Sequence, residues 1–204
     1  MALKALLAPL LFLLSIGCAH ADALADFRGF INGTQSARAD FSQTVFDNKN
    51  NITQEAKGTL VFTRPGKFRW QYLKPAQLIV GDGSQVWFFD EDLNQVTIRK
   101  IEKTFSSTPA ALLAGKRDIE AAFTLIDGGQ QDGLAWLNAE PKQKDAGIEK
   151  IRLGFANNQL TAMELLDAFG NRTRLTFSKF ERNPTIDAKQ YRFTPPKGAD
   201  VIAE

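Results

Sequence analysis

The sequence predicts a mainly β protein: one antiparallel sheet of roughly eleven strands, with an N-terminal helix and short central helices laid over it. Three observations lead there. Short apolar–polar alternations separated by turn residues recur along most of the chain. The alternation is absent only over residues 22–36 and 104–122, where helical spacing or no clean period takes its place. And so many strands in one sheet must curl or split. A curled sheet has a concave face that has to be filled or covered, and the isolated helices are the available cover.

Residues 1–21 stand apart from this pattern. Lys4 gives a short positive segment, residues 5–17 (ALLAPLLFLLSIG) are apolar, and Ala19-His20-Ala21 is the small-x-small pattern read by signal peptidase. The expectation is a secretory signal cleaved after Ala21, leaving one domain over 22–204. The apolar stretch is shorter than the roughly 20 residues of a membrane-spanning helix. Ser15-Ile16-Gly17-Cys18 is a faint lipobox, with Ser15 where an apolar residue, usually Leu, belongs. Acylation of Cys18 is therefore the competing reading of this segment.

Cys18 and His20 are the only Cys and His of the chain. The mature protein is thus expected to have no disulfide, no thiolate nucleophile and no imidazole base, which excludes Ser-His-Asp and Cys-His catalysis and the usual zinc, copper and haem sites. The segment takes one of 25 basic residues with it, leaving 24 basic against 23 acidic. A balance this even carries no electrostatic footprint for nucleic acid or an anionic lipid surface.

Along the mature chain, Leu24, Phe27, Phe30 and Ile31 share a helical face over 22–36, with Asp22 as N-cap. A strand with Phe41, Gln43 and Val45 on one side leads through Asp47–Asn51 to a second over about 53–64. Arg64-Pro65-Gly66-Lys67 is a tight turn: Pro65 fixes one central φ and Gly66 permits a positive value at the next. Phe68, Trp70 and Tyr72 then point one way. Strands at 77–80, 85–89 and 95–99 follow. In the interruption, Thr108-Pro109 reads as a helix start, Ala110–Ala114 as a short apolar helix with Gly115 at its end, and Asp118 as the opening of another. Strands resume at 123–126, 134–139, 150–155, 159–166 and 172–180, with Asn157-Asn158 and Gly170-Asn171 as hairpin turns. Tyr191–Gly198 reads as an extended tail halted by Pro195 and Pro196.

The face bearing Leu60, Phe62, Phe68, Trp70 and Tyr72 has two readings, an ordinary core or the wall of an apolar ligand site. The short helix carrying Leu112 and Leu113 between alanines favours the second, because so small a cover packs loosely and can move. Arg64 falls in phase with Leu60 and Phe62. It is either a rim arginine reaching water or a donor fork for carbonyls of the covering helix. Asp90-Glu91-Asp92 lacks the loop glycine and ligand spacing of a cation site and reads as a solvated turn. Ser106 and Ser107 lie near Lys100, Lys103 and Lys116 without Ser-x-x-Lys spacing, which speaks against hydrolase chemistry.

Several blocks together resemble LolA, the outer-membrane lipoprotein carrier family of Gram-negative periplasms. They are Phe41-Ser42-Gln43, Gly58-Thr59-Leu60, Arg64-Pro65-Gly66-Lys67-Phe68-Arg69-Trp70, Asp82-Gly83-x-x-Val86-Trp87, Thr108-Pro109 with the leucines that follow, and Phe193-Thr194-Pro195-Pro196-Lys197-Gly198. The resemblance implies an unclosed antiparallel β-barrel with a helical lid. It implies a monomeric, non-enzymatic periplasmic carrier of acylated lipoproteins that needs no cofactor. An inner-membrane lipoprotein-releasing ABC transporter would load it, and an outer-membrane receptor lipoprotein of LolB type would unload it. By the same resemblance Phe68 and Trp70 line the cavity, Arg64 bonds to the lid helix, and Ala111, Leu112 and Leu113 lie on that lid. The alanines depart from relatives with bulkier lid residues. The alternatives are a LolB-like receptor, which requires acylated Cys18, and an RseB-like lipoprotein-sensing module, which requires a further domain.

Overall fold

A computed structural model of the chain describes residues 22–104, 108–115, 119–143 and 147–204. The expected signal segment, Ser106, Ser107, Lys116, Asp118 and the side chain of Lys103 lie outside the described residues. Helix α1 spans Ala23–Gly33, and the Asp22 carboxylate accepts from the Leu24 and Ala25 N–H groups at 3.0 and 3.3 Å. The predicted apolar stripe is real: Phe27, Phe30 and Ile31 are buried. The helix is shorter than expected. Thr34 is already extended, the Gln35 N–H donates to Asn183 Oδ1 at 2.7 Å, and Ser36 begins a strand. Tertiary partners for the backbone thus end the helix three residues before the sequence pattern does.

The strands are β1 (Ser36–Phe46), β2 (Ile52–Thr63), β3 (Lys67–Tyr72), β4 (Gln77–Asp82), β5 (Gln85–Asp90), β6 (Gln95–Lys100), β7 (Phe123–Gln131), β8 (Leu134–Pro141), β9 (Ile148–Ala156), β10 (Gln159–Asp167), β11 (Arg172–Arg182) and β12 (Asp200–Ala203). Helices α2 (Pro109–Ala114) and α3 (Ile119–Ala122) fill the predicted interruption. All strands form one sheet in the order β12-β6-β5-β4-β3-β2-β1-β11-β10-β9-β8-β7, with β12 and β7 as unjoined edges. The sheet is therefore unclosed, as the resemblance implied.

The eleven expected strands are all present. The twelfth was not foreseen, and it is parallel to its neighbour β6. The tail is not simply extended either. It makes a 3-10 turn over Ala188–Tyr191, buries Tyr191 with its hydroxyl 2.7 Å from Thr63 Oγ1, passes the prolines and returns as β12. The Arg99 guanidinium donates to both carboxylate oxygens of Glu204 at 2.7 and 3.1 Å, fixing this edge. All four residues of β12 are exposed, so no alternation of burial announces it.

Register decides which side chains meet under the helices. Leu60 lies opposite Trp70, and Phe62 opposite Phe68. Phe68 in turn faces Gly81, where an added Cβ would come within 2.5 Å of its ring. Phe41 faces Gly58, and a Cβ there would also strike the Gln71 carbonyl oxygen. Two glycines thus leave the room in which two aromatic rings lie flat on the sheet. On β11, Ala39 of the partner strand is opposed by both Lys179 and Phe180, since Arg38 pairs with Glu181 and Asp40 with Ser178. This bulge, with Lys179 at φ +50°, brings Phe180 to the same face as Phe177. Uninterrupted alternation would have placed the two rings on opposite faces.

Two hairpin tips are built alike. Asp47 accepts from the Lys49 and Asn51 N–H groups and from Asn51 Nδ2, and Asp167 accepts from the Phe169 and Asn171 N–H groups and from Asn171 Nδ2. The Asn51 bonds hold the Asp47 carboxyl below its usual range. For Asp167, slight burial pushes upward but is outweighed by bonds from Asn171, Phe169 and Gly170.

Two outcomes are expected. Gly81→Ala should destabilise the protein by about 1–3 kcal/mol in urea unfolding, because the Phe68 ring has no room to yield. Both tip carboxyls have lowered folded pKa values, so their contribution is present above the ordinary Asp value and is lost as pH falls through the lower folded one. A carbon-13 NMR titration should show both midpoints below that of a free Asp, and Asn51→Ala should return Asp47 alone toward it.

Candidate functional site: helices closed over an aromatic face by one arginine

The concave face is apolar and closed. Phe62 and Phe68 are fully buried, and Leu60 and Trp70 are 1% exposed. Helix α1 covers β7 to β10, and α2 covers β2 and β3. Every residue of α2 from Ala110 to Ala114 is buried, including the predicted Leu112 and Leu113. The predicted site residues Leu60, Phe62, Phe68, Trp70, Tyr72, Leu112 and Leu113 are therefore brought together. Tyr72 differs from the rest: it is only partly buried, and its hydroxyl donates to Gln43 Oε1 at 3.0 Å.

Sequence reasoning missed the other half of the aromatic surface. Phe41 lies 4.2 Å from Trp70 and 5.3 Å from Tyr72 between ring centroids. Phe177 meets Trp70 edge-on at 6.5 Å, and the contacts continue through Phe180 to Phe30 of α1. Phe41 could have been found, since it shares a strand phase with Gln43. Phe180 could not, because the bulge at Lys179 reverses its phase.

Arg64 occupies the junction of the two covers. Its Nε–H donates to the Leu113 carbonyl of α2 at 3.0 Å, and Nη1 donates to the Ile31 and Thr34 carbonyls of α1 at 3.1 and 2.6 Å. The guanidinium carbon sits 5.0 Å from the Phe30 ring centroid and 5.2 Å from that of Phe62. The side chain thus makes a donor fork, and it bonds carbonyls of both helices where the sequence reading considered the covering helix alone. The chemistry suits the place. The last carbonyls of a helix lack intrahelical donors and carry the negative end of its dipole, so a fixed cation there is favourable. Neither helix has a basic residue in its own last turn. Arg64 is aimed by its turn: Gly66 adopts φ +71°, its N–H donates to the Ala114 carbonyl at 2.6 Å, and the Arg64 N–H donates to the Gln35 carbonyl at 2.8 Å.

The two helices are not held equally. The end of α1 is also bound by Arg182, which donates to Thr34 Oγ1 and the Gly29 carbonyl, and by Asn183, which donates to the Gly33 carbonyl. Among the described residues, the end of α2 is bound by the Arg64 side chain and the Gly66 N–H. The expected side-chain cap at its start is not made either, because Thr108 Oγ1 donates to the Thr104 carbonyl instead. Among the described residues, helix α2 is thus the cover with fewer fastenings. The acidic turn at Asp90 is occupied by its own neighbours, Gln77 and Leu93, and the described residues include no acidic, Cys or His group placed to hold a metal ion.

An unclosed antiparallel sheet, with helices tethered over its concave face by a β-turn arginine, defines a class of lidded open-sheet proteins. The solved structures it resembles agree in fold: an uncharacterized conserved protein from Thermus thermophilus (TM-score 0.55, 16% identity, 89% of this chain and 99% of that one) and a LolA superfamily protein from Nitrosomonas europaea (TM-score 0.52, 10% identity, 84% and 98%). The family model described as outer membrane lipoprotein carrier protein LolA matches residues 32–194, and the chain belongs to that family. Relatives called outer-membrane lipoprotein carrier protein include that of Dechloromonas aromatica (strain RCB), 48% identical over 91% of this chain and 90% of its own. That of Nitrosospira multiformis is 46% identical over 96% and 95%.

If one arginine closes both covers, Arg64→Leu should lower amide hydrogen-exchange protection in α1 and α2 together, with the larger loss in α2. Loss confined to residues 64–66 would show that the helices hold themselves. Arg64→Lys, a point charge without the fork, should restore at most one helix.

Proposed function

We propose that this protein carries acylated lipoproteins across the periplasm, sheltering their acyl chains between the aromatic face and α2. It would be exported by the signal segment cleaved after Ala21, take cargo from an inner-membrane lipoprotein-releasing transporter, and pass it to an outer-membrane receptor lipoprotein. The observation that carries this reading is the Arg64 clamp on the ends of both covering helices. A packed domain with no cargo has no need to close its core with hydrogen bonds from one side chain. The naming of relatives as lipoprotein carriers supports the same reading.

Magnitudes fit such a device. An acyl chain of ~16 carbons leaves water with a gain of about 12 kcal/mol, so a lipoprotein with two or three chains does not cross an aqueous space unaided. The carrier must offer apolar surface and hide it when empty. Each hydrogen bond to a charged group contributes about 1.5–3 kcal/mol, so the latch is worth several kcal/mol in all. That keeps the empty protein shut, yet two entering chains exceed it. Reclosure of the latch favours release, so cargo moves on to any receptor that binds it better, without a cofactor.

Breaking the latch should therefore trap cargo. Arg64→Leu should load at least as well as wild type and hand cargo to the receptor at least ten-fold more slowly, since ten-fold corresponds to about 1.4 kcal/mol, only part of what the latch contributes to the closed state. Purified carrier, receptor and a labelled lipoprotein suffice for the measurement. Transfer at the wild-type rate would sink the latch.

A further inference from the structure

Along the inner side of β3, burial falls away from the Arg64 end. The row of Phe62 and Phe68 is fully buried, and the next, Leu60 and Trp70, nearly so. Tyr72, beyond it, is partly exposed, as is Gln43 of the following row on β1. Polar groups appear in the same direction: the Trp70 indole N–H, the Tyr72 hydroxyl and the Gln43 amide. Two of them satisfy each other, since Tyr72 donates to Gln43 Oε1 at 3.0 Å. Trp70 Nε1 is buried and has no partner at full hydrogen-bond geometry among the described residues, with only the Tyr72 hydroxyl near enough for a weak contact. Burial raises the Tyr72 pKa and the weak contact with the Trp70 indole opposes it, so the indole and the phenol already share one small polar region. A buried donor without an acceptor is unfavourable, and a Phe would fill an aromatic face without that cost.

We infer that the Trp70 N–H is the donor for an acyl-ester carbonyl of the cargo, read at the step where the apolar face gives way to polar groups. This deepens the carrier reading and rests on it. Chains entering from the Tyr72–Gln43 side would place their methylenes against Leu60, Phe62 and Phe68. The carbonyl joining chain to glyceryl group would then arrive last, at Trp70 and Tyr72. An ester oxygen brought out of water needs a donor, and a site that supplies one rejects an analogue lacking the acceptor. Trp70 would thus separate acylated glyceryl groups from hydrocarbon of equal length.

The test is a cycle of two ligands and two proteins. The ligands are a dipalmitoyl-glyceryl lipopeptide and its dialkyl ether analogue of equal chain length, and the proteins are wild type and Trp70→Phe. Wild type should bind the ester about five- to ten-fold more tightly than the ether, the worth of one hydrogen bond. Trp70→Phe should lose that preference, while any packing defect weakens both ligands alike. In nitrogen-15 spectra of wild type, the Trp70 indole resonance should move with the ester and much less with the ether. Trp136 serves as control, because its Nε1 already donates to the Gln131 carbonyl at 3.1 Å. Equal binding of ester and ether by wild type, a preference that survives in Trp70→Phe, or an unmoved Trp70 resonance each overturns the donor role and leaves the carrier reading standing. Failure of wild type to bind either lipid overturns both.

Discussion

An open sheet of this size has a concave apolar face that cannot be left to water and is not closed by its own strands. Here the solution is two helices and a single guanidinium. The Arg64 fork satisfies carbonyls at the ends of α1 and α2 at once, where neither helix provides a basic residue of its own. The other features of the site depend on this junction. The Pro65-Gly66 turn exists at the right place to aim the side chain, Phe30 and Phe62 flank the cation, and the N–H of Gly66 holds the last carbonyl of α2. Hydrogen bonds to helix ends would suit a cover that opens, as the proposed carrier function requires. They are directional and few, and on opening both partners regain water, whereas an interlocked apolar seam would be lost in small increments with no defined second state.

On the proposed carrier reading, the asymmetry of the fastening would make α2 the cover that moves. Helix α1 is held at its end by Arg182 and Asn183 as well as Arg64, and it lies across four strands. Helix α2 is six residues long, bounded by Gly115, and among the described residues its end depends on Arg64 and one backbone N–H. A helix so short has little stability of its own and keeps its form through packing. Its small side chains make it a thin cover, and removing it uncovers the very strands, β2 and β3, that carry Leu60, Phe62, Phe68 and Trp70.

The aromatic face is packed ring on ring. Rings lie over Gly58 and Gly81, and Phe41, Trp70 and Tyr72 contact one another at tilted or edge-on angles. Against this surface α2 buries three alanines and two leucines. Apart from the bonded Arg64 fork at the other end, polar groups gather at the Tyr72–Gln43 end of the face.

By itself the sequence determined the strands, the two places where helices interrupt them, the aromatic face of β3 and the phase of Arg64. These follow from local rules: alternation with period two, helical spacing, turn residues such as Pro65 and Gly66, and a helix start at Pro109. Only the tertiary structure decided what lies far apart in the chain or departs from a period. The Lys179 bulge turns Phe180 inward against the alternation, and α1 ends at Thr34 because Asn183 and Arg64 claim the backbone of Gln35. The strand β12 pairs in parallel at an edge with no buried face to mark it. That Arg64 grips two helices rather than one also belonged to the tertiary structure, since a donor's reach can be read from its residue type but its acceptors, 30 and 49 residues away, are set by how the sheet curls.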